Sequence, residues 1–464
     1  MGGLGAQAVQ FLAIPVLARL YTPEDFAFWA LCLAGLLLFG TIAAFRYELA
    51  LMIPKGHQEA SDLFWGAVLL VFGMSVLGGS LLAMPCPRRL LGIETITPGL
   101  AALLFGGGIL IQGTMLLLTN WANRQECFGL NAMAQIALAV VAVGFQIAWI
   151  LLGGCGSWGL ILGFVAGQGT SVVVTATGLL VRGKLPASAS GSMGIVKAML
   201  EQYRFPIFST PRTLCGLARD RGTVVVLEQH VARVDVGGYA VVQRLINFPV
   251  SLVASAVRPV LYSRMAKDGI AANEGCILAI QRFIVLVATP WLAIVMLTAD
   301  QLAPLILGSQ WGGAGDLIRV LVWPYYLMMF VIWLDRIMDI GSRQMTAFWL
   351  EAGFAIASVV ALWTGLAMTG ALLVGVVAQA VVLTIYALTL WVVYYKLSAL
   401  RIVGLAKIVA LMVSLFLLTY AAIWAIFQLL PTGQRLAYSI MIGIIIQAAL
   451  FMPTWKTLKD FSRK

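Results

Sequence analysis

An all-α polytopic membrane protein of about 14 transmembrane helices is the fold that this sequence predicts. Three observations carry the prediction. Of the 464 residues, 61% are hydrophobic and 11% charged, with a mean hydropathy of +0.97. A soluble domain is about 45–50% apolar and about 25% charged, so water is not the solvent for most of this surface. Apolar runs of spanning length recur from one end of the chain to the other, and Lys and Arg gather on alternate connections between them.

A helix that crosses the hydrocarbon core needs about 20 mostly apolar residues. Windows of that kind fall at 4–20, 26–46, 61–84, 98–119, 131–153, 157–181, 204–229, 237–260, 278–299, 316–339, 346–366, 371–395, 403–428 and 434–454. The first is short. It follows neither a basic n-region nor an A-x-A site, so it is expected to stay as a membrane helix rather than be cleaved. The seventh is the least regular, because Arg219-Asp220-Arg221 sits in its middle.

Cytoplasmic loops carry an excess of Lys and Arg, and one missed span would invert every loop after it. With the N-terminus inside, the cytoplasmic side holds 20 basic residues, in groups such as Arg46/Lys55, Arg182/Lys184/Lys197/Arg204 and Lys456/Lys459/Arg463/Lys464. The other side holds 6: Arg19, Arg88, Arg89, Arg233, Arg319 and Arg435. Both termini are therefore expected in the cytoplasm. The remaining four, Arg212, Arg219, Arg221 and Arg244, lie inside proposed helices. The net charge of +11 is thus spread over short loops, forms no stripe for a duplex, and argues against nucleic acid as a partner.

No soluble domain interrupts the helices. The stretch Arg182–Tyr203 contains Gly183-Lys184-Leu185-Pro186 and a Ser/Gly run, Ser188–Ser192, a composition suited to a linker. The expected organisation is a six-helix bundle over 1–182, a cytoplasmic linker over 183–203, a second six-helix bundle over 204–396, and two additional helices with a basic tail over 397–464.

Several classes of chemistry are absent from the pattern. The six cysteines are scattered with no CxxC pair, and there are two histidines, His57 and His230, so neither a disulfide framework nor a metal centre is predicted. No cofactor is expected. Gly106-Gly107-Gly108, Gly153-Gly154 and Gly163/Gly167 lack the strand and Gly-Lys-Ser context of a phosphate loop and read as close helix packing. Trp65, Trp121, Trp158, Trp311, Trp323, Tyr394 and Tyr395 fall near helix ends, where an interfacial belt accounts for them.

A weak internal repeat divides the chain. Arg19-Leu20-Tyr21-Thr22-Pro23-Glu24-Asp25-Phe26 leads into the second span, and His230-Val231-Ala232-Arg233-Val234-Asp235-Val236-Gly237-Gly238-Tyr239 leads into the eighth. Each is a short turn with an acid, followed by an aromatic entering a helix. Parallel repeats of this kind place a substrate site at the repeat interface; chance similarity between two helix-turn-helix units is the plainer alternative.

At these residues the chain resembles bacterial oligosaccharide flippases of the polysaccharide-transport family, within the multidrug/oligosaccharidyl-lipid/polysaccharide exporter superfamily. The resemblance rests on Pro15 to Phe26, on Phe45-Arg46-Tyr47-Glu48-Leu49-Ala50-Leu51 with Pro54-Lys55, and on Gly238-Tyr239-Ala240, Gln243-Arg244 and Phe248-Pro249. It implies a central cavity, alternating access, and a polyprenyl-pyrophosphate-linked oligosaccharide moved from the cytoplasmic to the periplasmic leaflet of the inner membrane. It also implies a place in surface polysaccharide biosynthesis, lipopolysaccharide included, beside polymerase and chain-length machinery. No enzymatic activity is expected. The alternatives are efflux of drug-like cations by the same superfamily, which favours intramembrane acids, and a membrane glycan polymerase or ligase, which usually carries a large periplasmic loop.

A doubly anionic head group crossing hydrocarbon needs fixed cations, and the planar fork of Arg grips two phosphate oxygens at once. Burying an unpaired Arg at the bilayer centre costs about 2.5–3.5 kcal/mol on insertion scales, so such residues mark sites or pairs. Arg212 and Arg219 are seven apart, about 10 Å along one helix face. Pro206 and Pro211 before them are expected to break or kink the helix. The two arginines are candidate substrate ligands, with neutralisation of Arg219 or Arg221 by Asp220 or by an acid on another helix as the structural alternative. Arg244 is a further candidate. So is Arg46, for which an ion pair with Glu48 is the alternative. Asp335 and Asp339, four apart, are candidates for ion coupling, or else partners of Arg336 and Arg343.

Overall fold

The computed structural model describes residues 2–154, 156–335, 337–338, 343–397, 400–431 and 434–462. Among these there are helices and turns and no strand. In chain order the helices are α1 (Gly2–Leu20), α2 (Pro23–Thr41), α3 (Tyr47–Ala50), α4 (His57–Ala83), α5 (Pro85–Leu90), α6 (Pro98–Arg124), α7 (Phe128–Leu151), α8 (Trp158–Val181), α9 (Ser192–Glu201), α10 (Thr210–His230), α11 (Arg233–Asp268), α12 (Glu274–Leu307), α13 (Ala314–Met328), α14 (Gln344–Thr369), α15 (Leu372–Leu397), α16 (Ile402–Leu429) and α17 (Arg435–Ser462). A π turn, Phe205–Ser209, precedes α10, and short 3-10 turns follow α11 and α13.

Eleven of the described helices are long and apolar enough to cross a membrane: α2, α4, α6, α7, α8, 233–258 of α11, α12, the stretch Ala314–Leu334, Met345–Thr369, α15 and α16. Two shorter apolar helices, Gly5–Leu20 and Arg435–Leu450, stand where the first and last spans are predicted. The seventh predicted span forms as the π turn plus α10, a continuous helical segment too charged to count among the eleven. Every predicted span has its helix, and the protein is an all-α polytopic membrane protein.

Local chemistry sets the boundaries. Thr22 caps α2: its Oγ1 accepts from Asp25 N at 3.3 Å, and its own N–H donates to Asp25 Oδ2 at 3.0 Å. Pro23 at the first position has no N–H to leave unmet. The 183–203 stretch is only partly a linker, because α9 occupies its second half. Its first half is pinned rather than loose. Ser190 donates from N to Asp62 Oδ1 (2.8 Å) and from Oγ to Oδ2 (2.6 Å), while Gln58 Nε2, Trp65 Nε1 and Trp121 Nε1 each reach a strap carbonyl at 2.8 Å. In the tenth predicted span the α-helix α13 contains Pro324 and stops at Met328, and the stretch runs on to Leu334 through a 3-10 turn.

Contacts group the described chain into two compact units, Met1–Val241 with Met345–Leu372, and Val242–Gln344 with Leu373–Lys464. In the first, small residues allow close crossings, as in membrane bundles. A Cβ on Gly79 would lie 2.8 Å from the Ala102 carbonyl, and those on Gly163 and Gly167 would lie 2.9 and 2.7 Å from α7 carbonyls. Gly153, by contrast, ends α7 in a turn with φ +82, with open space where a Cβ would point, and contributes no packing. Buried polar pairs cross the helices: Tyr21 Oη donates to the Gln146 carbonyl at 2.7 Å, and Gln168 Nε2 to Gln112 Oε1. In the second unit α12 packs on α13, α16 and α17. Tyr395 Oη donates to Gln281 Oε1 at 2.5 Å, and Phe330 stacks on Trp391 with centroids 4.9 Å apart. Trp121, Trp311, Tyr394 and Tyr395 are buried inside protein rather than turned to lipid, so the predicted aromatic belt does not include their side chains.

Candidate functional site

The arginines of α10 are presented by an interrupted helix. Pro206 stands at the start of the π turn and Pro211 at the start of α10, where prolines tolerate their missing N–H. The extra residue of a π turn shifts the register of side chains that follow it. Arg212 and Arg219, seven apart on α10, share one face about 10 Å apart along the axis, both half-buried. Arg219 is ion-paired twice. Its Nη1 lies 2.5 Å from Glu351 Oε1 on α14, and its Nε 3.0 Å from Asp220 Oδ1. Both Arg219 and Glu351 are 16% exposed at the side chain.

Arg46 is set by backbone as well as charge. Phe45 and Arg46 adopt φ of +47° and +64°, a left-handed corner that side-chain-bearing residues rarely take, and α3 begins there. From it Arg46 Nη1 reaches Glu48 Oε1 at 3.1 Å. The Glu48 side chain is 1% exposed, and neither of its oxygens accepts a hydrogen bond among the described residues. Burial pushes its carboxyl above the usual glutamate range, and Arg46 and its own backbone pull it partly back.

The remaining candidates belong to the other compact unit. Arg244 is half-buried on α11, next to Gln243, whose Nε2 donates to Tyr325 Oη at 3.0 Å. Asp335 is paired with Arg258 of α11, Nε to Oδ1 at 3.2 Å, and the same guanidinium donates to the Ile332 carbonyl at 2.8 Å. Asp339 and Arg336 lie outside the described residues. The five described candidates therefore fall into separate groups: Arg212 and Arg219 on α10, Arg46 at its corner, and Arg244 and Asp335 in the second unit.

Sequence reasoning missed Glu351 and Arg258. Glu351 had a legible signal, since it is an acid inside an otherwise apolar span, the expected complement of an Arg on another helix. The two repeat turns also meet. A Cβ on Gly237 would come to 1.8 Å from the Pro23 carbonyl, so only glycine fits there. Arg233 ties the second turn down, to Glu228 at 2.9 Å and to the Gly92 carbonyl.

Helices of spanning length in this order, with a charged, interrupted helix between apolar ones, define a polytopic all-α membrane protein. The family model described as "Polysaccharide biosynthesis protein" matches residues 16–315, and the chain belongs to that family. It is 25% identical over 330 residues to the succinoglycan biosynthesis transport protein ExoT of Rhizobium meliloti (strain 1021), a match covering 68% of this chain and 63% of that one. In fold it is similar to the lipid II flippase MurJ in an inward closed conformation (TM-score 0.71, 10% identity, 98% of this chain and 97% of that one). It is also similar to an inward-facing multidrug resistance MATE family transporter of the MOP superfamily (TM-score 0.59, 17% identity, 89% and 95%). By name these relatives are transporters and flippases, not enzymes.

Proposed function

We propose that the protein is a flippase that moves a polyprenyl-pyrophosphate-linked oligosaccharide from the cytoplasmic to the periplasmic leaflet of a bacterial inner membrane, for surface polysaccharide assembly. Two six-helix bundles work by alternating access, the last two helices are an appended pair, and both termini are cytoplasmic. Arg212 and Arg219 bind the pyrophosphate, Arg46 and Arg244 line its route, and Asp335 and Asp339 serve ion coupling. Polymerase and chain-length machinery act next on the product.

The observation that carries this proposal is Arg219, paired with Glu351 at 2.5 Å within a helical membrane protein. A carboxylate holds the guanidinium fork in the geometry that phosphate oxygens also take, so an arriving head group exchanges for Glu351 rather than entering an empty site. Membership of the family supports the cargo class. Glu351 is an observation that favours cation efflux, because such a site uses intramembrane acids. Its charge is already matched by Arg219, and so the anionic cargo is preferred.

The test is complementation of a strain lacking its own oligosaccharide flippase, scored by surface polysaccharide at matched protein level. Wild type should restore polymer and the double variant Arg212→Ala/Arg219→Ala should not. Full activity of that double variant overturns the cationic site.

A further inference from the structure

The helix α9 carries an apolar surface that the fold leaves uncovered. At about 100° per residue its side chains fall on three arcs. Ala198, Ile195 and Met199 form one; Ile195 and Met199 contact α4 closely enough that a Cβ on Gly66 would lie 3.0 and 2.7 Å from them. Lys197 and Glu201 form the second. Met193, Val196 and Leu200, at i, i+3 and i+7, form the third, and they are 82%, 51% and 66% exposed.

The position of this stripe tells what covers it. Gly66 is nine residues into α4, about 13.5 Å along its axis at 1.5 Å per residue, so α9 lies beside the first half of a helix long enough to cross a membrane. Trp65, beside Gly66, donates its indole N–H to the strap carbonyl of Ala187, as an interfacial tryptophan with one apolar and one polar side does. The surrounding charge is basic. Arg182 and Arg204 are exposed at either end of the segment, and Lys197 is 78% exposed, only 4.0 Å from Glu201 in a weak surface pair. The strap's hydrogen bonds to Gln58, Ser61 and Asp62 fix α9 against α4, so the stripe is held there before any lipid arrives.

We propose that α9 is a lipid-binding interfacial helix: Met193, Val196 and Leu200 sit among the acyl chains while Arg182, Lys197 and Arg204 hold anionic head groups. An apolar arc with basic residues at its margins is what in-plane segments present to an anionic leaflet, with about 1 kcal/mol of attraction per basic residue at the surface.

Spin labels at Met193→Cys, Val196→Cys, Leu200→Cys and Lys197→Cys, each in a background with the six native cysteines replaced by serine, test this in the full-length protein reconstituted in vesicles. Vesicles of phosphatidylcholine alone are compared with vesicles that also contain phosphatidylglycerol. Oxygen should out-compete an aqueous nickel chelate as relaxant at 193, 196 and 200 and not at 197. Phosphatidylglycerol should raise that preference several-fold, and Lys197→Glu or high salt should reduce the gain. Dominance of the nickel chelate at the stripe positions overturns the proposal. So does protection from both relaxants, which indicates a protein partner. A preference equal in the two vesicle types overturns its electrostatic half.

Discussion

Arg219 of α10 and Glu351 of α14 meet at 2.5 Å, although 132 residues separate them in sequence. Neither charge is tolerable alone in a poorly hydrated setting: breaking a buried pair by removing one partner costs about 3–5 kcal/mol, less where water reaches it. Arg219→Ala should therefore lower the amount of folded protein as well as abolish transport. Arg219→Ala/Glu351→Ala should restore the amount of protein, seen by fluorescence-detected size exclusion, and leave transport absent. If the double variant transports, Arg219 serves the fold and not the cargo.

Gly237 gives a prediction about packing. With the Pro23 carbonyl where its Cβ would be, Gly237→Ala must push α11 and α2 apart. Overpacking of this kind costs about 1–3 kcal/mol. The expected result is a lower Tm in detergent, with Gly238→Ala as the neighbouring control.

The Glu48 carboxyl gives a pH dependence. Its folded pKa is raised from the ordinary 4.5, so the folded state favours the protonated form. The stability it contributes is complete below the ordinary value and is lost as pH rises through the raised one. Thermal unfolding followed from about pH 4 to about pH 8 should show falling stability over that window. Glu48→Gln should flatten the slope at its own position.

Asp62 holds the strap through two hydrogen bonds from Ser190. A hydrogen bond to a charged group is worth about 1.5–3 kcal/mol. Asp62→Ala should free residues 184–191, measured as faster protease cleavage in that segment with the spanning helices intact. Unchanged cleavage would mean that Gln58, Trp65 and Trp121 suffice.

Hydropathy made the spans legible, because the requirement for about 20 apolar residues acts on each helix separately. The charged seventh span was harder. Its helix forms through a π turn and an ion pair whose second member, Glu351, lies in a distant part of the sequence. The strap looked like a linker by composition, since Ser and Gly read as flexible until Asp62, Trp65 and Trp121 are seen to hold them. Arg46 was picked out as a charge, but the left-handed corner that aims it at Glu48 has no glycine to announce it. Pairings between distant helices carry no local periodicity, and so Arg258 with Asp335 was not foreseen.

One unit is assembled from Met1–Val241 and Met345–Leu372, and this imposes an order on its birth. A ribosome delivers α10 to the membrane long before α14 exists. During that interval Arg219 has Asp220, water and lipid phosphate for company, and it waits for Glu351 to be translated. The ion pair between α10 and α14 is therefore among the last contacts of its unit to form.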